Sequence, residues 1–303
     1  MKTELKIGLA NFIRISVKGD LRYKYYIVVG FLSHRLVKFI NMTTELYSQY
    51  KKGIDSSQNG ALTPEIREEF RQFHENRPED EINARQFPFT EDALLHPETC
   101  HDYAAKLLFD TLSNRTLGIR SALNIGCYSD RHFSYMAQKF PDIEFCSVDL
   151  LSEQGLSKFN KGLPKSPNWT FKSGYALDLL QQGEVDADLV FLTSASYQFN
   201  NKELDLYLDE ITKRAKVLVI TEYWGAFSRS SRMTSFGLMP RIVRPEDIPE
   251  NVPFTRAISV NHFIYAHNYP AKLEKRGFQI RLSRIEANDS LFMYVYQLVA
   301  VKR

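Results

Sequence analysis

The sequence predicts an α/β fold, a mostly parallel sheet covered by helices on both faces, with one antiparallel strand at its end and a helical extension in front. Two patterns carry this prediction. From residue 96 onward, strand-like apolar runs alternate with stretches of helical periodicity, the signature of parallel strands joined by crossover helices. After Gly277 two strand-like runs follow with no helix between them, and strands joined so closely must be antiparallel.

The elements follow in order. Tyr103, Leu107, Leu108 and Leu112 have helical spacing, and the apolar run Ser121 to Cys127 then predicts the first strand. A helix over Arg131 to Phe140 leads to a strand at Ile143 to Asp149, a short helix near Glu153 to Asn160 and a strand at Trp169 to Ser173. A helix near Leu177 to Gln182 precedes the strand Ala187 to Thr193, and an amphipathic helix over Lys202 to Arg214 precedes the strand Val217 to Glu222. The last helix, near Tyr269 to Arg276, stops at Gly277, a residue suited to a helix C-terminus. Strands over Phe278 to Ile285 and Phe292 to Val301 complete the chain, with Asn288-Asp289-Ser290 as the turn between them.

Residues 1–95 read as an N-terminal basic and helical extension, and 96–303 as the main domain, with an insertion at about 223–266. The first 40 residues hold eight Lys/Arg against two acids, a charge of +6 where the whole chain carries +3, so the remainder is at −3. This argues against a nucleic-acid-binding face across the protein, and no DNA partner is expected. A helix over Ile27 to Ile40 would set His34, Arg35 and Lys38 opposite Val29, Leu32, Leu36 and Ile40. Such a helix either lies on an anionic membrane surface, through residues 25–40, or packs on the main domain. No run reaches the roughly 18 to 20 apolar residues of a membrane span. Lys51 to Ala61 reads as a linker, and Thr63-Pro64-Glu65 as a helix start whose acids, Glu65, Glu68, Glu69, Glu75, Glu79, Asp80 and Glu81, form a solvated face. The three cysteines have neither disulfide nor metal-ligand spacing, which predicts a reducing, cytoplasmic compartment and no metal.

Ligands of an open parallel sheet bind beyond the carboxyl ends of its strands, where the strand order reverses. Three such ends stand out here. Asn124-Ile125-Gly126-Cys127-Tyr128-Ser129-Asp130 follows the first strand, and Gly126 allows close backbone approach. Asp149 ends the second, where a carboxylate can accept from both hydroxyls of a ribose. Gly174-Tyr175-Ala176-Leu177-Asp178 follows the third. The order of LNIGC, VDL, SGYALDLL, DLVFLTS, VLVITE and a terminal hairpin resembles the class I S-adenosylmethionine-dependent methyltransferases over roughly residues 100–303.

The resemblance implies a Rossmann-like, seven-stranded sheet whose last strand is antiparallel, and S-adenosylmethionine as cofactor. It implies the methionine part near Asn124, Gly126 and Cys127, the ribose on Asp149, the adenine near Leu150, Ala176 and Leu177, and Thr193 and Ser194 beside the methyl donor. The sequence departs from the family in having Gly126 as the single glycine of its first loop, and Tyr175 where many members carry an aspartate. A nicotinamide dehydrogenase would need G-x-G-x-x-G at that loop, which is absent.

The loop Thr193-Ser194-Ala195-Ser196-Tyr197 lacks the Pro-Pro-aromatic motif of amino-methyltransferases that act on DNA bases. The insertion holds Trp224, Arg229, Arg232, Arg241, Arg244 and Arg256, with Phe227, Phe236 and Phe254; arginine forks bind phosphate or carboxylate, and aromatic faces stack on sugar rings. Tyr197, Trp224, Arg229 and Arg232 are the substrate-contact candidates. The stretch Asn261 to Pro270 is similar to one in bacterial sugar O-methyltransferases. A hydroxyl acceptor benefits from a general base, and His267 and His262 are the candidates, with Glu222 a further polar contact and His132 a surface residue of its helix. The expected activity is O-methylation of a sugar, glycoconjugate or other small molecule. The alternatives are a non-catalytic, membrane-peripheral binding module, which the single-glycine loop would suit, and a methyltransferase for protein or RNA.

Overall fold

The computed structural model describes residues 64–77, 89–224, 243–251, 254–259, 262–287 and 294–303. The chain divides into two compact units. The larger comprises 57–226, 243–256 and 263–303; the smaller comprises 1–56, 227–242 and 257–262 and lies almost wholly outside the described residues. The basic helix expected at 27–40, the linker at 51–61, Thr63 and the turn at 288–290 also lie outside them. Among the described residues no helix is long and apolar enough to cross a membrane.

The larger unit opens with helices α1 (Pro64–Glu75), α2 (Glu91–Leu95) and α3 (Cys100–Ser113). There follow β1 (Ser121–Ile125), α4 (Arg131–Lys139), β2 (Glu144–Asp149), α5 (Glu153–Asn160) and β3 (Trp169–Ser173). Then come α6 (Ala176–Gln182), β4 (Leu189–Thr193), α7 (Asn201–Arg214) and β5 (Val217–Trp224). After the short strands β6 (Phe254–Ser259) and β7 (His262–Ala266), the chain ends with α8 (Tyr269–Glu274), β8 (Phe278–Ala287) and β9 (Tyr294–Lys302). The seven-stranded sheet has the order β3-β2-β1-β4-β5-β9-β8. Strands β1 to β5 are parallel, and β9 runs antiparallel to both neighbours, β5 and β8. The Rossmann-like sheet with an antiparallel last strand is therefore present as expected. The order reverses between β1 and β4, which places the ligand crevice at the carboxyl ends of those two strands.

Local chemistry explains the helix starts. Thr99 and Asp102 form a reciprocal capping box on α3, and Ser152 and Asn200 accept backbone N–H groups at the starts of α5 and α7. The central strands are apolar on both faces because helices cover both. Phe145, Phe191, Val217 and Val219 pack with Leu108, Phe133 and Met136 of α3 and α4 in one core. The alternate residues Leu123, Val190, Leu192, Leu218 and Ile220 are buried as well. Each such side chain stabilises the fold by about 1.5–3 kcal/mol relative to exposure.

Three features differ from the sequence reading. The insertion contains β6 and β7, a separate two-stranded sheet. His132 is 3% exposed, wedged against Phe89, His101 and Phe191, so it is a core residue and not a surface one. The acidic helix α1 is not a solvated face throughout: Glu75 accepts from the Ser152 N–H at 2.6 Å, and Arg67 bonds Asp178 at 2.7 Å.

Candidate functional site at the carboxyl ends of the strands

The first turn after β1 is built by backbone strain and a buried carboxylate. Gly126 has φ +72° and donates its N–H to Val148 O at 2.9 Å. A Cβ there would stand 2.8 Å from the Cβ of Ala195, so β1 and β4 approach as closely as they do because this residue is glycine. Tyr128 and Ser194 are held at φ 51°, a left-handed conformation uncommon outside glycine, at the ends of the same two strands. Strained backbone of this kind concentrates at binding sites.

Asp130, fully buried, is the anchor of this turn. It accepts from Phe133 N on one oxygen, and from Asn124 Nδ2 at 2.8 Å and Ser147 Oγ at 2.6 Å on the other. Burial raises its carboxyl to about 6, and these three bonds pull the other way. Asn124 is thereby fixed as a donor to Asp130, and its own Oδ1 is buried without a hydrogen-bond partner. Cys127 is 7% exposed among Leu151, Leu156 and Phe159, and burial pushes its thiol far above the ordinary range, so it behaves as an apolar residue.

Asp149 closes β2. One carboxylate oxygen accepts the Tyr128 N–H at 2.8 Å and the other the Leu151 N–H at 3.1 Å. Burial raises this carboxyl, offset in part by those N–H bonds. The Leu150 N–H also favours the ionised form, and a carboxylate with about four lone-pair sites keeps acceptor capacity beyond these three backbone donors. Beyond β3, Ala176 and Leu177 are buried at the start of α6, and Leu150 is partly exposed beside Asp149. Tyr175 donates its hydroxyl to Glu203 at 2.6 Å and carries the Arg67 guanidinium 3.4 Å from its ring centroid. Helix α1 therefore spans the ends of β2 and β3, through Glu75 on Ser152 and Arg67 on Tyr175 and Asp178. Neither contact was legible in the sequence, because a polar helix gives no sign of its partner.

The ends of β4 and β5 form the other half. Thr193 and Thr221 are register partners, both buried, and the Oγ1 atoms of both lack a hydrogen-bond partner. Ser194 donates its N–H to Thr221 O, and its Oγ lies 3.8 Å from the buried Cys100 thiol. Glu222, 1% exposed, accepts on one oxygen from Ser196 N at 2.8 Å, Ser196 Oγ at 2.5 Å and, at longer range, Ala195 N. Its second oxygen is buried with no hydrogen-bond partner. Burial pushes this carboxyl up to about 8, against the Ser196 bonds. Tyr197 is partly exposed, its ring edge-on to Tyr223 at 6.3 Å.

The remaining candidates are placed elsewhere. His267 is fully buried, with Nε2 2.9 Å from Phe199 O and its ring stacked near Tyr265. Burial lowers its pKa to about 3, so the ring is neutral at every physiological pH and bonded to a backbone carbonyl. So placed, the ring is poorly suited to the general-base role expected from the sequence. Trp224 is 2% exposed, donates to Val243 O at 2.8 Å and packs on Tyr296, which makes it a core residue at the end of β5 and not an open substrate wall. His262 opens β7 but its side chain lies outside the described residues, as do Arg229 and Arg232. Among the described residues no group of three His, Cys, Asp or Glu is arranged to hold a metal.

No family model matches the sequence, and no curated protein matches it. Solved structures do show similarity. The magnesium protoporphyrin IX methyltransferase ChlM from Synechocystis PCC 6803, with bound SAM, is 13% identical, with a TM-score of 0.49 over 80% of this chain and 99% of that one. The N-terminal domain of EvdMO1, with SAH bound, is 13% identical, with a TM-score of 0.45 over 77% and 97%. A Burkholderia thailandensis 1,6-didemethyltoxoflavin-N1-methyltransferase is 12% identical, with a TM-score of 0.47 over 74% and 86%.

Proposed function

We propose that this protein is an S-adenosylmethionine-dependent methyltransferase acting on a hydroxyl of a small molecule, with a sugar or glycoconjugate as the acceptor class. The observation that carries the reading is the set of buried, unpartnered polar atoms at the carboxyl ends of β1, β4 and β5: Asn124 Oδ1, Thr193 Oγ1, Thr221 Oγ1 and Glu222 Oε2. Buried polar groups are almost always bonded, so four orphans at the strand-order reversal and on the adjacent β5 support a place where a polar ligand completes the bonding.

The residues fit the cofactor. Gly126 at φ +72° turns the backbone sharply at the end of β1, and Asp149 offers acceptors for the ribose. Leu150, Ala176 and Leu177 supply apolar surface for the adenine, and Thr193 and Ser194 stand at the end of the neighbouring strand. When bound, the cofactor supplies a methyl group on a positively charged sulfur. The chain's part is to hold donor and acceptor in line and to keep water out, which is where most of such a rate enhancement arises. Tyr197 and Tyr223 offer aromatic surface at the β4 and β5 ends, which suits the flat face of a sugar ring. Arg229 and Arg232 are proposed to add charge recognition, and the basic residues at 25–40 contact with an anionic membrane surface.

Calorimetric titration with S-adenosylmethionine tests the reading. Wild type is expected to bind in the micromolar range, and Asp149→Ala to lose at least about tenfold in affinity, the loss of two charge-assisted hydrogen bonds. Absence of binding by the wild type would refute it.

A further inference from the structure

Glu222 is a buried carboxyl with a lopsided set of partners. Its hydrogen bonds from the backbone and hydroxyl of Ser196 and from Ala195 N fall on one oxygen, and the Tyr197 N–H also favours the ionised carboxyl. The other oxygen is sealed from solvent and has no hydrogen-bond partner. The groups around it come from four elements: Ser196 and Tyr197 after β4, Cys100 at the start of α3, Tyr269 of α8, whose hydroxyl lies 2.9 Å from Ser196 Oγ, and Tyr296, its register partner on β9. All are neutral at physiological pH, because burial pushes the Cys100 thiol and the Tyr197, Tyr269 and Tyr296 phenols upward. No cation is among the groups that shift the Glu222 carboxyl, although the Arg77 guanidinium acts on the neighbouring Tyr197 phenol. A carboxylate so placed is costly to ionise unless a positive charge joins it.

Its position says where such a charge would come from. Ala195 joins Glu222 through its N–H and touches the Gly126 turn through its Cβ, so one residue separates the carboxyl from the loop assigned to the methionine end of the cofactor. We propose that Glu222 is a cation subsite whose free oxygen pairs with the sulfonium, so that the site ranks the charged methyl donor above its neutral thioether product. This rests on the cofactor assignment above. It provides for product release: once the methyl has left, the positive charge that favoured ionised Glu222 is gone, and the product is held less tightly than the donor.

The test uses the full chain, with S-adenosylmethionine and S-adenosylhomocysteine titrated separately at pH 6.5 and pH 9. The sulfonium acidifies the amino group of its own ligand, so the two ligands titrate differently, and that part is taken from Glu222→Gln, in which the Glu222 carboxyl is absent. Burial holds the Glu222 carboxyl at about 8, so it is largely protonated at pH 6.5 and largely ionised at pH 9. From pH 6.5 to pH 9 the preference for the sulfonium ligand is expected to rise about tenfold more in the wild type than in Glu222→Gln, the effect of one unit of coupling. A cooperative unfolding transition of Glu222→Gln shows that the variant is folded. An equal change of the ratio in the two proteins overturns the inference. If the wild type binds neither ligand, the proposed function itself fails; if it binds both and its ratio changes as the variant's does, only this inference fails.

Discussion

Two buried carboxyls stand at the carboxyl edge of the same sheet, and they are built differently. Asp130 is satisfied on both oxygens, by Phe133 N, Asn124 and Ser147. Glu222 is satisfied on one oxygen and bare on the other. A complete set of bonds locks a loop in place, and Asp130 does so for the turn that leads into α4. An incomplete set, sealed from water, costs stability in the free protein and is expected where a ligand finishes the arrangement. The contrast separates structural from functional polarity within one edge of the fold.

The comparison can be broken in several ways. The largest effect is expected for Asp130→Ala, which removes the shared acceptor of three buried donors and should cost about 4 kcal/mol in urea unfolding. A loss below about 1 kcal/mol would show that the network is not structural. The second test uses pH. An unfolded glutamate ionises near 4.5, whereas folded Glu222 does so at about 8. Between those values the folded state holds a proton that the unfolded state has lost, so stability falls as pH rises, by about 1.4 kcal/mol per unit, and levels off above 8. Asp130 contributes the same slope only up to about 6. His132 and His267, buried neutral, add stability over pH 6.5 to 8 as the unfolded imidazoles lose their protons, so the difference between wild type and Glu222→Gln isolates Glu222. The wild type should lose about 2 kcal/mol across that interval relative to Glu222→Gln. Equal losses would mean that Glu222 is not a buried, protonated group.

Gly126→Ala comes next. The left-handed backbone costs an alanine about 1–2 kcal/mol, and the contact with Ala195 adds to it. Binding of S-adenosylmethionine should weaken along with stability. The smallest effect is expected for His267→Gln. It exchanges one neutral hydrogen bond to Phe199 O, costs about 1 kcal/mol, and should leave the pH dependence of cofactor affinity between 6 and 8 as in the wild type. A change in that dependence would restore His267 as an ionising group.

Much of the fold was legible in the sequence because burial on both faces makes the strands continuous apolar runs. Leu189 to Thr193 and Val217 to Ile220 could hardly be read otherwise. The closing hairpin was legible because no helix fits between its two runs. The pair β6 and β7 was not, since five- and six-residue strands inside a mixed basic and aromatic segment have no clear period. At the site, Gly126 and Asp149 were legible as strand-end residues. Asp130 was not, because its partners Asn124 and Ser147 come together only when β1 and β2 pair. Burial also makes His267 a poor match for the general base that its sequence suggests, and it turns Glu222 from an ordinary acid into an orphaned one. Both residues are buried by contacts that form only in the folded chain, Phe199 O on His267 and Ser196 on Glu222.

The most direct test of the whole account is amide hydrogen exchange of the full chain with and without S-adenosylhomocysteine. The account predicts protection confined to the strand-end segments 124–130, 149–152, 174–178, 193–197 and 221–223, with β8 unchanged. Protection elsewhere, or none at saturating ligand, would contradict the assignment of the carboxyl edge of β1 to β5 as the binding site.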